Sequence, residues 1–436
     1  MAYVHEHSSD AALSELDLHG VPPTQTNILK STFVGIESKN SLSDGSNINF
    51  TISKSQEYTD LSENYLHLEC EVTKADGSAL DDKDTAVAPV NNLAHSLFKD
   101  VQVSIGGYKV SGNTETYAFR AYLEGLLNYD KEVKKGIMRI QGWHPDTPGK
   151  FHDLTNDNVG FKNRKALITG GRFPLMARLH FDLAHQGKLL AGDTEIQLTL
   201  KQASPSFYLM CKGDESYKLK IHKAKLYVRR VLVADDVTET HEKAVVEHGP
   251  FHYPVNRVEV TTYAIPAGNR DHTYTHSNTG QLPKSMTICF LDHDAFNGAY
   301  DKNPFELKHC NLNSLQVIVN DQKVPNDAYV PDFKKKQAVR EYLALHTETG
   351  MYEGARSCGI SYDDFMEGYT LFPLDLTPDR ERDGRRVNLI KAGQLRVELS
   401  FAEALASTTT VLLYMVYDNV VELTRDRHPV TDYHMN

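Results

Sequence analysis

The chain has 436 residues, more than the roughly 250–300 at which a single hydrophobic core stops growing, so two domains are expected. Apolar residues make up 40% of the chain and charged residues 24%, values that exclude a disordered or collagen-like protein. The formal net charge of −11 argues against a protein built around a phosphate-binding surface, although it leaves local basic patches open.

The first 28 residues are predicted to form an arm. They are polar, contain Pro22-Pro23 and show no sustained period, so we do not expect them to fold unless they dock on another surface. The start of the chain lacks the basic and apolar regions of a signal peptide, which indicates a protein that is not secreted through one. The longest apolar run, Val411–Tyr417, is far shorter than the roughly 20 residues that span a bilayer.

From Phe33 onward the sequence is typical of short β-strands. Apolar and polar residues alternate cleanly in Leu66–Val72, Ile196–Leu200 and Leu395–Phe401. A period of two places one set of side chains in a core and the other in solvent, as in an antiparallel sandwich. One segment instead has helical spacing, with an ordinary core face and Gly136 as its expected end; its apolar residues are Phe119, Tyr122, Leu123, Leu126 and Leu127.

An internal repeat is the most informative feature of the sequence. Val101–Val110 aligns without a gap with Leu315–Val324, and Gly106-Gly107 in the first copy faces Asn320-Asp321 in the second, two solutions to a hairpin turn that requires positive φ. Further pairs follow in the same order: Arg120–Leu123 with Arg340–Leu343, Phe173–Leu175 with Phe372–Leu374, Ile196–Leu200 with Val397–Phe401, and Leu226–Val233 with Val411–Leu423. The sequence therefore predicts a duplicated β-unit.

The two copies differ in length. Their register offset falls from 220 to 199, so the first copy carries an insertion between Gly136 and Gly171, which we expect to be an exposed surface loop.

The fold predicted is mostly β, with two tandem jelly-roll β-sandwiches and a few short helices. The expected division is an arm (residues 1–28), a first jelly roll (29–236) and a second (237–436), with a short linking helix at Thr238–Val246.

Histidines and nearby carboxylates are candidate metal ligands, because the chain has 20 histidines. His5-Glu6-His7 lies in the arm, with no strand to hold its geometry. Asp292-His293-Asp294 follows a strand and is expected to be a solvated loop. His180 and His185 would lie on opposite faces of a strand. No metal site is predicted.

The sequence also predicts no nucleophilic site and no nucleic-acid-binding site. There is no G-x-S-x-G elbow, and the five cysteines are scattered, odd in number and without a C-x-x-C pair, which indicates neither a disulfide scaffold nor a zinc site but synthesis in a reducing compartment. No cysteine has a basic or helix-start context, and Cys70 and Cys289 are expected to be core residues. The basic segments Lys334–Lys336 and Arg380–Arg386 predict solvated faces rather than a specific nucleic-acid site. We therefore predict no catalytic, cofactor-binding or metal-binding residue, and no enzyme.

Duplication has a geometric use in assemblies. A homotrimer of a two-lobed chain presents six similar lobes around one axis, a block that tiles a hexagonal lattice. The many histidines would also permit acid to loosen contacts between subunits.

Several segments resemble a known family. Pro89–Phe98, Val101–Gly107 and Thr116–Glu124 resemble the first-domain signature of Polinton (Maverick) and adintovirus major capsid proteins, and Gly393–Ala402 and Tyr414–Glu422 resemble that family's closing strands. The resemblance implies a major capsid protein whose homotrimers form pseudo-hexameric capsomers in an icosahedral virion. It implies neighbouring capsomers and penton or minor capsid proteins as partners, and an arm on the inner shell surface, near a membrane or the genome. The family has no catalytic residues to carry over.

Two other classes of protein remain open. A two-domain jelly-roll protein that binds carbohydrate or processes glycans should be secreted, and the missing leader and unpaired cysteines count against it. A minor capsid or host-attachment protein would be expected to have a single jelly roll, which the duplication disfavours.

Overall fold

The computed structural model describes residues 5–431 except 12, 43–44, 82–85, 113–114, 213–216, 277–279, 353, 355, 383–385 and 390–391. Part of the predicted arm and part of the basic segment at 380–386 therefore lie outside the described residues. None of the described helices has the length and apolar character needed to cross a bilayer.

The first lobe is a β-sandwich. Its strands are β1 (Ile28–Glu37), β2 (Ile48–Ile52), β3 (Tyr58–Lys74), β4 (Val87–Pro89), β5 (Phe98–Ile105), β6 (Tyr108–Lys109), β7 (Phe173–Ala177), β8 (Ile196–Gln202), β9 (Leu209–Cys211) and β10 (Tyr217–Val233). They form two antiparallel sheets in the orders β1-β10-β3-β7 and β2-β8-β5-β6, and β4 pairs with β9. The alternating segments of the sequence supply the strands, and their apolar sides face each other across the sandwich.

The second lobe repeats this arrangement. Its strands are β11 (Phe251–Ile265), β12 (Asp271–His276), β13 (Ser285–Asp292), β14 (Leu312–Val319), β15 (Gln322–Tyr329), β16 (Phe372–Asp375), β17 (Leu395–Phe401), β18 (Thr409–Leu423) and β19 (Pro429–Thr431). The sheets run β11-β18-β13-β16 and β12-β17-β14-β15, with β19 paired to β18. Strand for strand, this is the order of the first lobe, so the predicted mostly-β fold of two jelly rolls is confirmed.

Short helices connect the strands. They are α1 (Leu93–Ser96), α2 (Tyr117–Asn128), α3 (Lys131–Lys135), α4 (Val159–Ile168), α5 (Pro205–Tyr208), α6 (Asp235–Glu247), α7 (His293–Asn297), α8 (Val339–Thr347) and α9 (Tyr362–Met366). Single 3₁₀ turns lie at Ser14–Leu16, Ile137–Gln141, Asp182–His185 and Phe333–Lys335. The linking helix expected between the lobes is present as α6. The expected helix end at Gly136 is wrong for α2, because Tyr129 is already extended and Gly136 follows α3 instead.

The hairpin turns of the two copies are built as predicted. Gly106 and Gly107 have φ values of 56° and 86°, and Asn320 and Asp321 have values of 48° and 65°. Glycine adopts this conformation freely, and Asn and Asp tolerate it better than other residues do. Two different sequences therefore close the equivalent hairpins β5–β6 and β14–β15.

The insertion between Gly136 and Gly171 is not the exposed loop that its length suggested. It contains a 3₁₀ turn and α4, and Trp143, Phe151 and Phe161 are each at most 2% exposed. Trp143 and Phe151 pack in a hydrophobic core that runs continuously through both lobes. Length alone predicted a surface segment, but the apolar content of the insertion places it inside.

Candidate functional site

The junction between the two lobes is built around α2. This helix of the first lobe lies against the outer face of the second-lobe sheet β11-β18-β13. The Thr116 hydroxyl donates to the Val260 carbonyl at 3.4 Å, and the Tyr414 hydroxyl donates to the Glu124 carboxylate at 3.4 Å. The predicted apolar face of α2 is therefore not an ordinary core face of one lobe, because part of it packs against the other lobe.

Aromatic rings fill the junction. Phe119 on α2 stacks on Phe296 of the second lobe at 5.4 Å between ring centroids. Tyr122 lies between Phe305, at 4.2 Å, and Trp143 of the insertion, at 5.4 Å. Such rings bury large apolar areas, so the junction holds the two lobes in one fixed relation.

A buried ion pair ties the insertion to both lobes. The Arg164 guanidinium is fully buried and lies 2.6 Å from the Asp146 carboxylate. Arg164 also donates to the Pro89 carbonyl at 2.7 Å, and the Asn303 amide of the second lobe donates to the other oxygen of Asp146 at 2.9 Å. Each polar atom named here has a partner, as burial requires.

A second charged group, the Glu124 cluster, consists of Glu124, Arg120, His180 and His185. Glu124 lies 2.8 Å from Arg120, 2.5 Å from His180 Nδ1 and 3.1 Å from His185 Nε2. The prediction that His180 and His185 lie on opposite faces of a strand is wrong. Asp182–His185 forms a 3₁₀ turn, so the period of two does not apply and both rings reach the same carboxylate.

The Glu124 cluster contains the donor types of a metal site. The ligand atoms of Glu124, His180 and His185 all lie within 4.8 Å of one another. Arg120 already pairs with Glu124, and with Asp182 at 2.8 Å, so a divalent cation bound there would face a guanidinium. Burial raises the pKa of the Glu124 carboxyl, but Arg120, His185 and His180 outweigh it and hold this pKa well below its usual range. The arrangement is that of an ion-pair network.

His95 extends this network further within the first lobe. Its ring is fully buried, lies 4.8 Å from the His180 ring, and contacts the Tyr117 hydroxyl through Nδ1 at 2.9 Å. Burial and the neighbouring His180 together hold the pKa of His95 well below its usual value, although Glu124 opposes them. Burial likewise lowers the pKa of His180, with Glu124 again opposing.

We expect these depressed histidine pKa values to make the protein less stable in mild acid. The unfolded chain binds protons at these histidines near pH 6.5 whereas the folded chain resists them, so stability is present above that pH and is lost as pH falls below it. His95→Gln should flatten the curve of unfolding free energy against pH between 7 and 5 by up to about 1.4 kcal/mol per pH unit. Chemical unfolding at several pH values measures this, with His19→Gln in the exposed arm as control. Equal slopes for wild type and His95→Gln would contradict it.

The other residues singled out in the sequence are dispersed. His5 and His7 are exposed. Asp292 is not in a solvated loop: it caps α7, is 9% exposed and pairs with Lys302 at 3.0 Å. The basic residues Lys334, Lys335, Lys336 and Arg380 each pair with a carboxylate, from Glu403, Asp332, Glu367 and Glu348 respectively.

The cysteines give one confirmation and one correction. Cys70 and Cys289 are fully buried, and burial raises the pKa of both thiols, as expected for core residues. Cys358 contradicts the prediction that no cysteine has a basic environment: its Sγ lies 3.8 Å from His346 Nε2. Burial raises the pKa of this thiol, but His346, a backbone hydrogen bond from Ile360 and the charge of Lys134 together outweigh it, and the net shift is downward. Cys358 is only 2% exposed, so its thiol is not accessible to a substrate in this structure.

A known protein is similar in sequence to nearly the whole chain, although the chain matches no family model. No family model matches the chain. An uncharacterized protein of Caenorhabditis elegans is 26% identical over 426 residues, which cover 94% of this chain and 99% of that protein.

Solved structures resemble the chain over nearly its whole length. A chain of the Sputnik virophage matches 100% of this chain and 95% of its own length, with a TM-score of 0.66 and 12% identity. The mavirus major capsid protein matches with a TM-score of 0.57 and 10% identity, covering 100% and 97%. The Faustovirus major capsid protein matches with a TM-score of 0.52 and 8% identity, covering 93% and 92%. The fold is the double jelly roll of these viral capsid proteins.

Proposed function

We propose that this protein is a major capsid protein whose homotrimers form pseudo-hexameric capsomers in an icosahedral virion. The observation that carries the proposal is the repetition of one sheet order in two lobes that a buried junction holds together. Three such chains present six similar lobes, which is the shape needed to fill a hexagonal lattice with a trimer. The solved structures that share this fold across their length support it.

The finer assignment is to the Polinton (Maverick) or adintovirus type. The sequence resemblance over Pro89–Phe98 and Thr116–Glu124 supports it, together with the likeness in fold to the mavirus major capsid protein. We propose neighbouring capsomers and penton or minor capsid proteins as its partners, and a structural rather than an enzymatic role.

The proposed division of the chain is an arm (1–28), a first jelly roll (29–236) and a second (237–436). The described part of the arm is exposed throughout, including the apolar side chains of Leu13, Leu16, Leu18 and Val21, which are 62–87% exposed. Apolar side chains left open in this way favour docking of the arm on another surface, and we place it on the inside of the shell, near a membrane or the genome.

Light scattering of the purified full chain tests the trimer. We expect a mass near that of three chains, and we expect it to persist on moderate dilution. One chain can leave a closed ring of three only if two contacts break together. A stable monomer at high concentration would contradict the proposed function.

A further inference from the structure

We propose that the α6 groove, a cleft between the linking helix α6 and the first lobe, binds a basic amphipathic segment of another protein. The groove has a volume of about 640 Å³, within the range of cavities that hold ligands. That the bound protein is a minor capsid component rests on the proposed function. The residues that define the two walls are Asp235, Glu239, Glu242 and Val246 on α6, and Asp193 and Leu232 on the first lobe.

Helix α6 is poorly covered within the chain. Of its 13 residues, all of which the structure describes, only Val245 is buried, whereas Val246 is 60% exposed. Asp235, Glu239, Glu242 and Val246 recur every three or four residues, so they form one face of the helix, and this face lines the groove. A helix of this length gains most of its stability from packing, so the open face is suited to receive a partner.

Three contacts hold the groove in a fixed shape. The Tyr58 hydroxyl of the first lobe lies 2.8 Å from His241 Nδ1 on α6. Arg427, which follows strand β18 of the second lobe, donates to the Gly192 carbonyl of the first lobe at 2.8 Å and pairs with Glu242 of α6. The linker and both lobes are thereby tied together at this place. A partner therefore meets a preformed site, and binding has a low cost in ordering the groove.

The lining of the groove is acidic. Arg427 pairs with Glu242, and Lys243 lies 3.8 Å from Glu239. Carboxylates nevertheless outnumber cations, with Asp193, Asp235, Glu239, Glu242 and Glu247 on one side of the balance and Lys243 and Arg427 on the other. The excess of negative charge favours an occupant with cationic side chains, because complementary charges steer partners together and like charges exclude them.

Apolar side chains lie beside these carboxylates. Leu232, near the end of β10, is 36% exposed and lines the groove together with Val246. Open apolar side chains in a groove favour an occupant that covers them. A segment with apolar side chains on one face and Lys or Arg on the other meets both requirements, as amphipathic helices do when they dock in grooves.

The nearest segment of this chain does not meet these requirements. The arm leaves the first lobe beside α6, where the Ala234 amide donates to the Asn27 carbonyl at 2.9 Å. Like charge disfavours the arm as the occupant, and it also disfavours nucleic acid and anionic membranes. Residues 1–28 contain neither Lys nor Arg, and their carboxylates are Glu6, Asp10, Glu15 and Asp17. The occupant is therefore a basic segment of a second protein.

Binding of a labelled peptide to the purified full chain tests the α6 groove. The probe is a short amphipathic helix of Leu and Lys, and its counterpart has Glu in place of every Lys. Fluorescence anisotropy should show binding of the Leu/Lys peptide and none of the Leu/Glu peptide. Glu239→Lys reverses a charge of the groove and Val246→Ser removes an apolar contact, so each should weaken binding by about tenfold.

Matched controls separate the groove from a general attraction to an acidic chain. Glu132→Lys reverses a similarly exposed carboxylate on α3, which lies 3.4 Å from Lys135, and Val159→Ser changes a valine of α4 that is 56% exposed. Both controls should bind the Leu/Lys peptide as the wild type does. Equal weakening in the controls and the groove variants, or no binding to the wild type, would overturn the α6 groove as a site.

The outcomes also separate the α6 groove from the proposed function. Circular dichroism spectra that match the wild type establish that the variants are folded. A wild type of three chain masses that does not bind the Leu/Lys peptide would overturn the groove alone and leave the trimer standing. A monomeric wild type that binds the peptide in the groove would instead overturn the proposed function and leave the groove as a site for a basic segment.

Discussion

Replacing Tyr122 by Ala is expected to lower the free energy of unfolding by about 3–5 kcal/mol, the usual cost of removing a large buried aromatic ring. Tyr122 is 1% exposed and stacks on both Phe305 and Trp143, so its loss leaves a cavity lined by the first lobe, the insertion and the second lobe. Urea unfolding at one fixed protein concentration measures the change.

The duplication supplies a matched control. Tyr342 occupies the equivalent position on α8 but is only half-buried. Tyr342→Ala should therefore cost less than Tyr122→Ala, by about 1 kcal/mol or more, because less apolar area is removed from a packed site. Equal losses at the two positions would contradict the placement of Tyr122 between the lobes.

Replacing Arg164 by Met is expected to cost about 3–5 kcal/mol, because it leaves the buried Asp146 carboxylate without its counter-charge. Both side chains are almost completely buried, and Asp146 also accepts from Asn158 and Asn303, which cannot supply the missing charge. The free energy of unfolding from urea titration again gives the size of the loss.

A surface ion pair in the same insertion is the control. Lys150 lies 3.3 Å from Asp157, and their side chains are 44% and 74% exposed. Lys150→Met should cost less than about 1 kcal/mol, as exposed pairs do. If Arg164→Met costs no more than Lys150→Met, the Asp146–Arg164 pair does not hold the insertion in place.

The fold could be predicted from local sequence because its signals are local. Period-two alternation identifies strands such as Leu66–Val72, and the match of Val101–Val110 with Leu315–Val324 identifies the duplication without any knowledge of tertiary contacts. The positive-φ turns at Gly106-Gly107 and Asn320-Asp321 follow from the conformations that these residues tolerate. Such features depend on neighbours in the chain, and a single sequence contains them.

The junction could not be predicted because it depends on residues far apart in the chain. Phe119 meets Phe296 and Tyr414 meets Glu124 across the two lobes. Glu124 in turn meets both His180 and His185 only because a 3₁₀ turn interrupts the strand pattern. The burial of the insertion did have a signal. It contains Trp143, the single tryptophan of the chain, and an aromatic residue of that size indicates packing more strongly than segment length indicates exposure.

Electron microscopy of the purified full chain in negative stain tests the central claim most directly. The account predicts threefold particles with a hexagonal outline and six similar lobes, some of them joined in hexagonal arrays or closed shells. Isolated two-lobed particles, or pairs related by a twofold axis, would show that the twin jelly rolls do not serve to build a six-sided block from three chains.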